Sequence, residues 1–198
     1  PRWDLKDSFK LGNDGKYYKN PDYQGGAVYF AAFEHWWDGD NNTRVRAWCP
    51  KALDPEAACP VCEASEQARQ SFDQAEKKYG SEIAAKEVFL FNAIMKDPAT
   101  KKRVMTEEGL PDIRVMPAHG TVFVGITDIM FGGGDEDFAR YDITNVKEGY
   151  DIMLTRPVAG GDRWKVSCSP KASPLASEEE RAVWPQDWVT LLVDLPAF

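Results

Sequence analysis

The sequence predicts a mainly β fold with added helices, of the α+β class, organised around a small barrel. Three observations support this prediction. Short apolar or alternating runs, separated by turn residues such as Gly, Pro, Asn and Asp, recur along the chain and are typical of strands. Helical spacing of apolar residues is confined to two places. The 198 residues suffice for one domain, and 43% of them are hydrophobic, which is enough for a packed core.

The first half of the chain predicts a hairpin followed by a helix. Residues 1–26 are rich in Gly, Asn, Asp and Tyr and are predicted to be irregular. A strand over 27–33, a turn at 38–42 and an alternating strand over 43–48 together predict the hairpin. Apolar residues at spacings of three and four then predict a helix that ends at Gly80, with Ser81 as the cap of a second short helix. These apolar residues are Ala64, Ala68, Phe72, Ala75 and Tyr79.

The second half of the chain predicts further strands at 88–95, 113–116, 121–125, 150–155 and 164–168. Gly160 and Gly161 are expected to turn the last pair of strands, and residues 132–137 to form an acidic loop. The tail over 177–195 is expected to be helical. An OB-type barrel of five strands fits this number of strands, so residues 1–198 are assigned to a single OB-fold core.

A metal site is predicted from the cysteines. Cys49, Cys59 and Cys62 lie close together in the sequence, and the last two form a Cys-x-x-Cys motif whose tight turn points both thiolates at one ion. His35 lies upstream of Cys49, and three thiolates with one imidazole form a closed structural zinc set. We therefore predict one structural Zn²⁺ per chain, in a zinc-binding subdomain over residues 33–63 that is inserted in the core.

Two other residues compete with His35 for the fourth ligand position. Cys168 alternates with Trp164 and Val166 on a predicted strand face, which also suits a buried thiol. His119 lies in a predicted turn. A site completed by either residue would leave the three clustered cysteines as ligands.

Other chemistries of the cysteine cluster are disfavoured, and no enzymatic activity is expected. A redox pair would need a surrounding βαβ unit, and a disulfide would leave one of the three clustered cysteines over. A nucleobase deaminase needs His-x-Glu, whereas His35 is followed by Trp36 and Trp37. A fourth protein ligand would also close the open position that catalytic zinc requires. The chain contains two histidines and no paired-carboxylate motif.

Several motifs occur in the order found in one known family. They are His35-Trp36-Trp37, Cys49-Pro50, Cys59-Pro60-Val61-Cys62-Glu63, Lys96-Asp97-Pro98, and the segment from Gly149 through Trp164-Lys165-Val166 to Ser173-Pro174-Leu175. With these motifs the chain resembles the zinc-containing single-stranded DNA-binding proteins of tailed phages, the helix-destabilising family of the T-even gene-thirty-two type. The resemblance implies an OB-fold core, zinc ligation by His35, Cys49, Cys59 and Cys62, and sequence-independent binding of single strands in a basic, aromatic cleft during replication, recombination and repair.

The resemblance also implies partners and a location. Members of the family carry a basic N-terminal arm for cooperative self-association on DNA and an acidic C-terminal tail for replication proteins. Neither is evident here, and since the first residue is Pro1 rather than Met we expect a trimmed core. The segment before Cys49 and the acidic loop near Gly132 depart from the family in detail.

The expected location is the cytoplasm of the infected bacterial host. No membrane partner is expected, because no apolar stretch of spanning length and no signal peptide is visible.

Binding of single strands needs a positive groove for the phosphates and aromatic faces for the bases. The net charge of −8 argues against a general polyanion binder, but basic residues cluster locally beside aromatic ones. The candidate DNA-binding residues are Arg44, Arg46, Trp48, Trp37, Lys51, Phe89, Phe91, Lys101, Lys102, Arg103, Arg156, Trp164 and Lys165. The alternative hypothesis is a zinc-stabilised protein-interaction module of a phage replication assembly, without DNA affinity of its own.

Overall fold

The structure is a computed structural model that describes residues 9–11, 17–19, 29–40, 43–52, 54–131, 141, 143–145, 147–156, 164–182 and 192. Its strands are β1 (Phe9–Leu11), β2 (Tyr17–Lys19), β3 (Tyr29–Asp38), β4 (Arg44–Trp48), β5 (Lys86–Ile94), β6 (Ile113–His119), β7 (Tyr150–Thr155) and β8 (Lys165–Ala172). Its helices are α1 (Pro60–Gln70), α2 (Gln74–Ile83), α3 (Gly120–Phe131) and the short α4 (Glu178–Ala182). A 3-10 turn over Pro50–Ala52 follows β4.

The fold is mixed α+β and contains a curled antiparallel sheet, as the sequence predicts at this level. Four strands pair in the order β4-β3-β5-β6, so β3 and β5 are central. The strands β7 and β8 pair with each other, as do β1 and β2. Among the described residues the strands thus form one sheet of four and two of two, and a closed five-stranded barrel is not confirmed.

The main core lies between this sheet and α3. Three residues of α3 at spacings of four, Val122, Ile126 and Met130, are buried against Phe91 of β5 and Ala118 of β6. The same spacing places all three on one face of the helix, and this face packs against the sheet. Among the described residues no helix has the length and apolar character needed to cross a membrane.

A glycine lets α3 approach the second sheet. A Cβ atom on Gly125 would lie 2.6 Å from Cγ2 of Val166 in β8, closer than two carbon atoms pack. Val166 and Ile152 of the β7–β8 pair contact the main core cluster on this side. The absence of a side chain at Gly125 therefore allows both the β7–β8 pair and the four-stranded sheet to pack against α3.

The prediction of a strand over 121–125 is wrong, because these residues form the first part of α3. Three of these five residues are β-branched, which suits a strand locally. A helix instead brings Val122 and Ile126 onto the sheet together, and this burial overrides the local preference. The neighbouring prediction of a turn at His119 is also wrong, since His119 is the last residue of β6.

The single helix predicted after Cys62 is two helices. The chain breaks at residues 71–73, and the Asp73 side chain accepts a hydrogen bond of 2.7 Å from the Ala75 backbone N–H at the start of α2. Phe72, predicted on the apolar face, is fully exposed at the break. Gly80 lies within α2, where its carbonyl accepts a hydrogen bond of 2.7 Å from Ser65 Oγ of α1. The two helices contact each other at Gly80, so this glycine allows close packing and does not end the helix. Ser81 lies in the last turn of α2.

The other predicted elements are partly confirmed. Strands occur at the predicted positions in β3, β4, β5, β6, β7 and β8, with shifted ends; β3 extends through residue 38. Residues 1–26 contain the paired strands β1 and β2, so they are not wholly irregular. The tail is helical over Glu178–Ala182. The predicted loop at 132–137, the turn at 160–161 and most of the tail lie outside the described residues.

Candidate metal centre and the adjacent basic face

Four side chains from three parts of the chain converge on one point. His35 lies in β3, Cys49 directly follows β4, and Cys59 and Cys62 lie at the start of α1. The Cys49 backbone N–H donates a hydrogen bond of 2.8 Å to the Phe33 carbonyl, which fixes Cys49 beside β3. Pro60 occupies the first turn of α1, where its missing N–H costs nothing, and the turn brings Cys59 and Cys62 to one side.

The spacing of the donor atoms fits a tetrahedral metal ion. All four donor atoms lie within 4.8 Å of one another. His35 Nε2 is 3.3 Å from Cys59 Sγ and 3.6 Å from Cys62 Sγ, and the Cys49 and Cys62 sulfurs are 3.6 Å apart. A tetrahedral ion with metal–sulfur bonds of about 2.3 Å needs separations of roughly 3.6 to 3.8 Å. The cluster is therefore a plausible metal site made of His35, Cys49, Cys59 and Cys62.

A backbone carbonyl orients the imidazole for this role. His35 Nδ1 lies 2.8 Å from the carbonyl oxygen of Ile83, the last residue of α2. Since a carbonyl only accepts hydrogen bonds, Nδ1 carries the proton and Nε2 presents its lone pair to the sulfurs. Metal-binding histidines usually have such a second partner. His35 is 1% exposed, so its ring is enclosed by the protein. Its Nδ1 contact with the Ile83 carbonyl and its Nε2 contact with the sulfurs set the orientation of the ring.

The thiols resist ionising together in the absence of a cation. Burial raises the pKa of Cys59, but hydrogen bonds from Cys62, Cys49 and His35 outweigh it and lower that pKa to about 7. Burial, together with the neighbouring Cys59 and Cys49, raises the pKa of Cys62 to about 12. A divalent ion would remove this conflict, because it stabilises all three thiolates at once.

The two competitors for the fourth ligand position lie elsewhere. Cys168 is in β8, where it pairs with Ile152, and burial and the nearby Asp151 raise its pKa. The His119 Nε2 atom lies 3.5 Å from Glu34 Oε1. The four residues that cluster are the predicted ligands Cys49, Cys59 and Cys62, with His35 as the nitrogen donor.

The opposite face of the same hairpin carries arginine and tryptophan side chains. Trp36 pairs with Arg46 across β3 and β4, so their side chains share a face with Arg44 and Trp48. The Arg44 Cζ atom is 5.1 Å from the centre of the Trp36 ring, and Arg46 Cζ is 5.8 Å from that ring and 4.9 Å from the Trp48 ring. We call these four residues the Trp–Arg face. The predicted common face of Arg44, Arg46 and Trp48 is thus present.

A buried carboxylate lies under the Trp–Arg face. Glu34 is 0% exposed and pairs with Trp48 across the hairpin. Its Oε1 atom accepts a hydrogen bond from Trp36 Nε1, and its Oε2 atom is 3.7 Å from Arg46 Nε. The two charges compensate each other, which reduces the cost of burying the carboxylate.

The structure adds Trp36 and Glu34 to the site and moves Trp37 away from it. Trp37 pairs with Val45 and so points to the other side of the sheet from Trp36. The number of residues in the turn is the signal that could have identified Trp36. Because Asp38 pairs with Arg44 across this turn, even-numbered residues of β3 pair with even-numbered residues of β4, and Trp36 is paired with Arg46. The charge of Glu34 gave no signal that it would be buried.

The remaining candidates lie on other elements. Phe89 and Phe91 belong to the core, where Phe89 stacks on Phe123 at 3.5 Å between ring centres and Phe91 is 6% exposed. Lys51 is exposed in the 3-10 turn after Cys49. The other six lie either in the loop between β5 and β6 or at the ends of β7 and β8: Lys101, Lys102, Arg103, Arg156, Trp164 and Lys165. Of these, Arg103 donates a hydrogen bond of 3.0 Å from Nη2 to the Pro174 carbonyl.

Comparison of the chain with protein-family models gives no match, and comparison with curated proteins gives none.

Proposed function

We propose that this chain is a sequence-independent single-stranded DNA-binding protein with an OB-type core and one structural zinc ion. The observation that carries the proposal is the Trp–Arg face, which lies on the hairpin that also supplies His35 and Cys49 to the metal cluster. Indole rings offer stacking surfaces to any base, and guanidinium groups contact phosphates, so the face suits strands of any sequence.

Zinc is the ion that best suits the donor set. Three sulfurs and one imidazole nitrogen at tetrahedral spacing favour Zn²⁺ over ions that prefer oxygen ligands or square geometry. Four protein ligands leave no open position for a reacting water, so the role proposed is structural and no catalysis is proposed. The ion would tie β3, the end of β4 and the start of α1 together.

The overall negative charge does not oppose this proposal. At physiological salt an exposed charge acts over about 8 Å, so the potential of the Trp–Arg face depends on its own surroundings. By its resemblance to the phage family the protein would act in replication, recombination and repair in the cytoplasm of an infected bacterium, with cooperative self-association on DNA and with replication proteins as partners. Phe89 and Phe91 contribute to this proposal only as core residues beneath α3.

We expect about one zinc ion per chain in protein purified without chelator. A Cys59→Ser variant should retain much less zinc, because it removes a buried ligand. Elemental analysis of both proteins measures the ratio. The Cys168→Ser variant is the matched control, since this cysteine lies in β8 and is not among the four clustered residues. Absence of zinc from the wild type, or equal loss from the control, would contradict the assignment.

We expect the protein to bind single-stranded oligonucleotides more tightly than duplexes, because stacking requires exposed base faces. Affinity should fall as salt rises, through counterion release from the phosphates. Titrations followed by tryptophan fluorescence at two salt concentrations test both points. The Trp48→Ala variant should lose about 1–3 kcal/mol of binding if its ring, which is 36% exposed, stacks on a base.

The same titrations test the alternative hypothesis of a protein-interaction module. Such a module would contain the zinc ion but show no salt-dependent affinity for oligonucleotides. Equal affinity for single strands and duplexes would instead indicate contact with phosphates alone, and would count against a stacking face.

A further inference from the structure

The two arginines of the Trp–Arg face differ in their surroundings. Arg46 lies beside both Trp36 and Trp48, and its Nε atom lies 3.7 Å from Glu34 Oε2. Arg44 lies beside Trp36. In the part of the chain that the structure describes, no ion pair is formed by Arg44, although Asp38 is its cross-strand neighbour. Arg46 therefore has a carboxylate of the protein beside its charge, whereas Arg44 is exposed and forms no ion pair with the residues that the structure describes.

Glu34 is the cause of this difference. Its carboxylate is 0% exposed, and its Oε2 atom accepts no hydrogen bond from the described residues. Oε1 is in contact with Trp36 Nε1 and lies 3.5 Å from His119 Nε2. A buried carboxylate is costly unless a cation lies near it, so Glu34 draws the guanidinium of Arg46 inward. The same guanidinium lies 5.8 Å from the centre of the Trp36 ring and 4.9 Å from that of the Trp48 ring.

On the basis of the proposed function, we propose that Glu34 is a positioning residue of the DNA-binding face. Its buried carboxylate holds the Arg46 guanidinium between Trp36 and Trp48, so that Arg46 forms part of a flat platform on which bases stack. Arg44 is the residue of the face that binds phosphate. The ligand is a single strand whose bases lie over the tryptophans and whose backbone passes Arg44.

This division of roles differs from the simplest expectation, in which both arginines bind phosphate. A residue that binds phosphate releases counterions, and each such contact changes the slope of log affinity against log salt by about 0.7 for single strands. A guanidinium already paired with a carboxylate releases few further counterions. The salt slope therefore separates the two roles even when both variants bind more weakly.

The test uses zinc-loaded protein, a single-stranded oligothymidylate and three variants, Arg44→Gln, Arg46→Gln and Glu34→Gln. Arg44→Gln should reduce the salt slope by about 0.7. Arg46→Gln should leave the slope unchanged and weaken binding about 5- to 100-fold at every salt concentration, because the indoles lose their support. Glu34→Gln should make the slope steeper by up to about 0.7, because Arg46 is then unbalanced and can reach phosphate.

Thermal unfolding without DNA tests the contact between Glu34 and Arg46 separately. Arg46→Gln removes the cation beside Glu34 Oε2 and should lower the unfolding temperature, and the double variant with Glu34→Gln should recover part of the loss. The control is Arg44→Gln combined with Glu34→Gln, whose effects should add.

Two results would overturn the proposal. One is an equal fall in slope for Arg44→Gln and Arg46→Gln, which would make both arginines phosphate ligands. The other is additive unfolding effects for Glu34→Gln and Arg46→Gln, which would show that the carboxylate does not hold the guanidinium. Failure of the wild type to bind single strands would refute the proposed function and the stacking role with it, while the unfolding data would still decide whether Glu34 holds Arg46.

Discussion

Removal of the proposed zinc ion is expected to unfold the end of the β3–β4 hairpin and the start of α1. The four clustered side chains come from these elements, and without a cation burial and the neighbouring Cys59 and Cys49 raise the pKa of Cys62. Structural zinc contributes about 10–16 kcal/mol to the folding of zinc-finger peptides. If even about 5 kcal/mol applies here, the melting temperature of a chain of this length should fall by roughly 10–20 °C.

Thermal unfolding with and without a chelator measures this effect, and hydrogen exchange locates it. Exchange should accelerate in β3, β4 and α1, whereas the part of β5 that packs against α3 should stay protected. Addition of zinc to the chelated protein should restore the original melting temperature. Equal melting temperatures with and without chelator, in protein shown to have lost its metal, would contradict a structural role for the ion.

Truncation of Ile126 to alanine is expected to destabilise the protein by about 2–5 kcal/mol. Ile126 is 1% exposed and lies at the centre of the cluster between α3 and the sheet, beside Phe91 and Ala118. The truncation would leave a cavity that the surrounding strands and helix can fill only in part. Urea or thermal unfolding of the zinc-loaded variant gives the difference in the free energy of unfolding.

Val124 provides the matched control, because it lies on the same helix and is 53% exposed. The Val124→Ala variant should change stability by no more than about 0.5 kcal/mol. The pair also tests the helical assignment of this segment. In a strand, residues 124 and 126 would share a face and respond alike, whereas in α3 only Ile126 points into the core.

The sequence was sufficient for the three clustered cysteines because the chemistry of ligands is local. Few residue types bind zinc, and a Cys-x-x-Cys motif at the start of a helix brings two sulfurs together wherever the helix packs. The hairpin before it was also visible, because alternating polarity and a turn rich in Asp, Gly and Asn specify antiparallel pairing over a short distance. Cys49 lies opposite Phe33, two residues from His35 on the same face of that hairpin, so the approach of His35 and Cys49 follows from the pairing.

The roles of the aromatic residues could not be predicted in the same way. Alternation shows that Phe89 and Phe91 share a face, but not that α3 covers it. The choice between Trp36 and Trp37 depends on the register of β3 with β4, and a shift of one residue exchanges the two. Both questions concern what lies opposite a strand, and the sequence of that strand does not contain the answer.

The sequence by itself therefore determined the three clustered cysteines of the candidate metal site, the adjoining hairpin and the mixed α+β class, while the structure placed His35, and not Cys168 or His119, beside them. Only the tertiary structure decided that residues 120–131 form a helix, that Gly80 lies at a contact between helices, and that Glu34 is buried beneath Arg46. The physical reason is the range of the interactions. Metal ligation and turns are set by a few neighbouring residues, whereas burial depends on surfaces supplied by distant parts of the chain, which can override local preference.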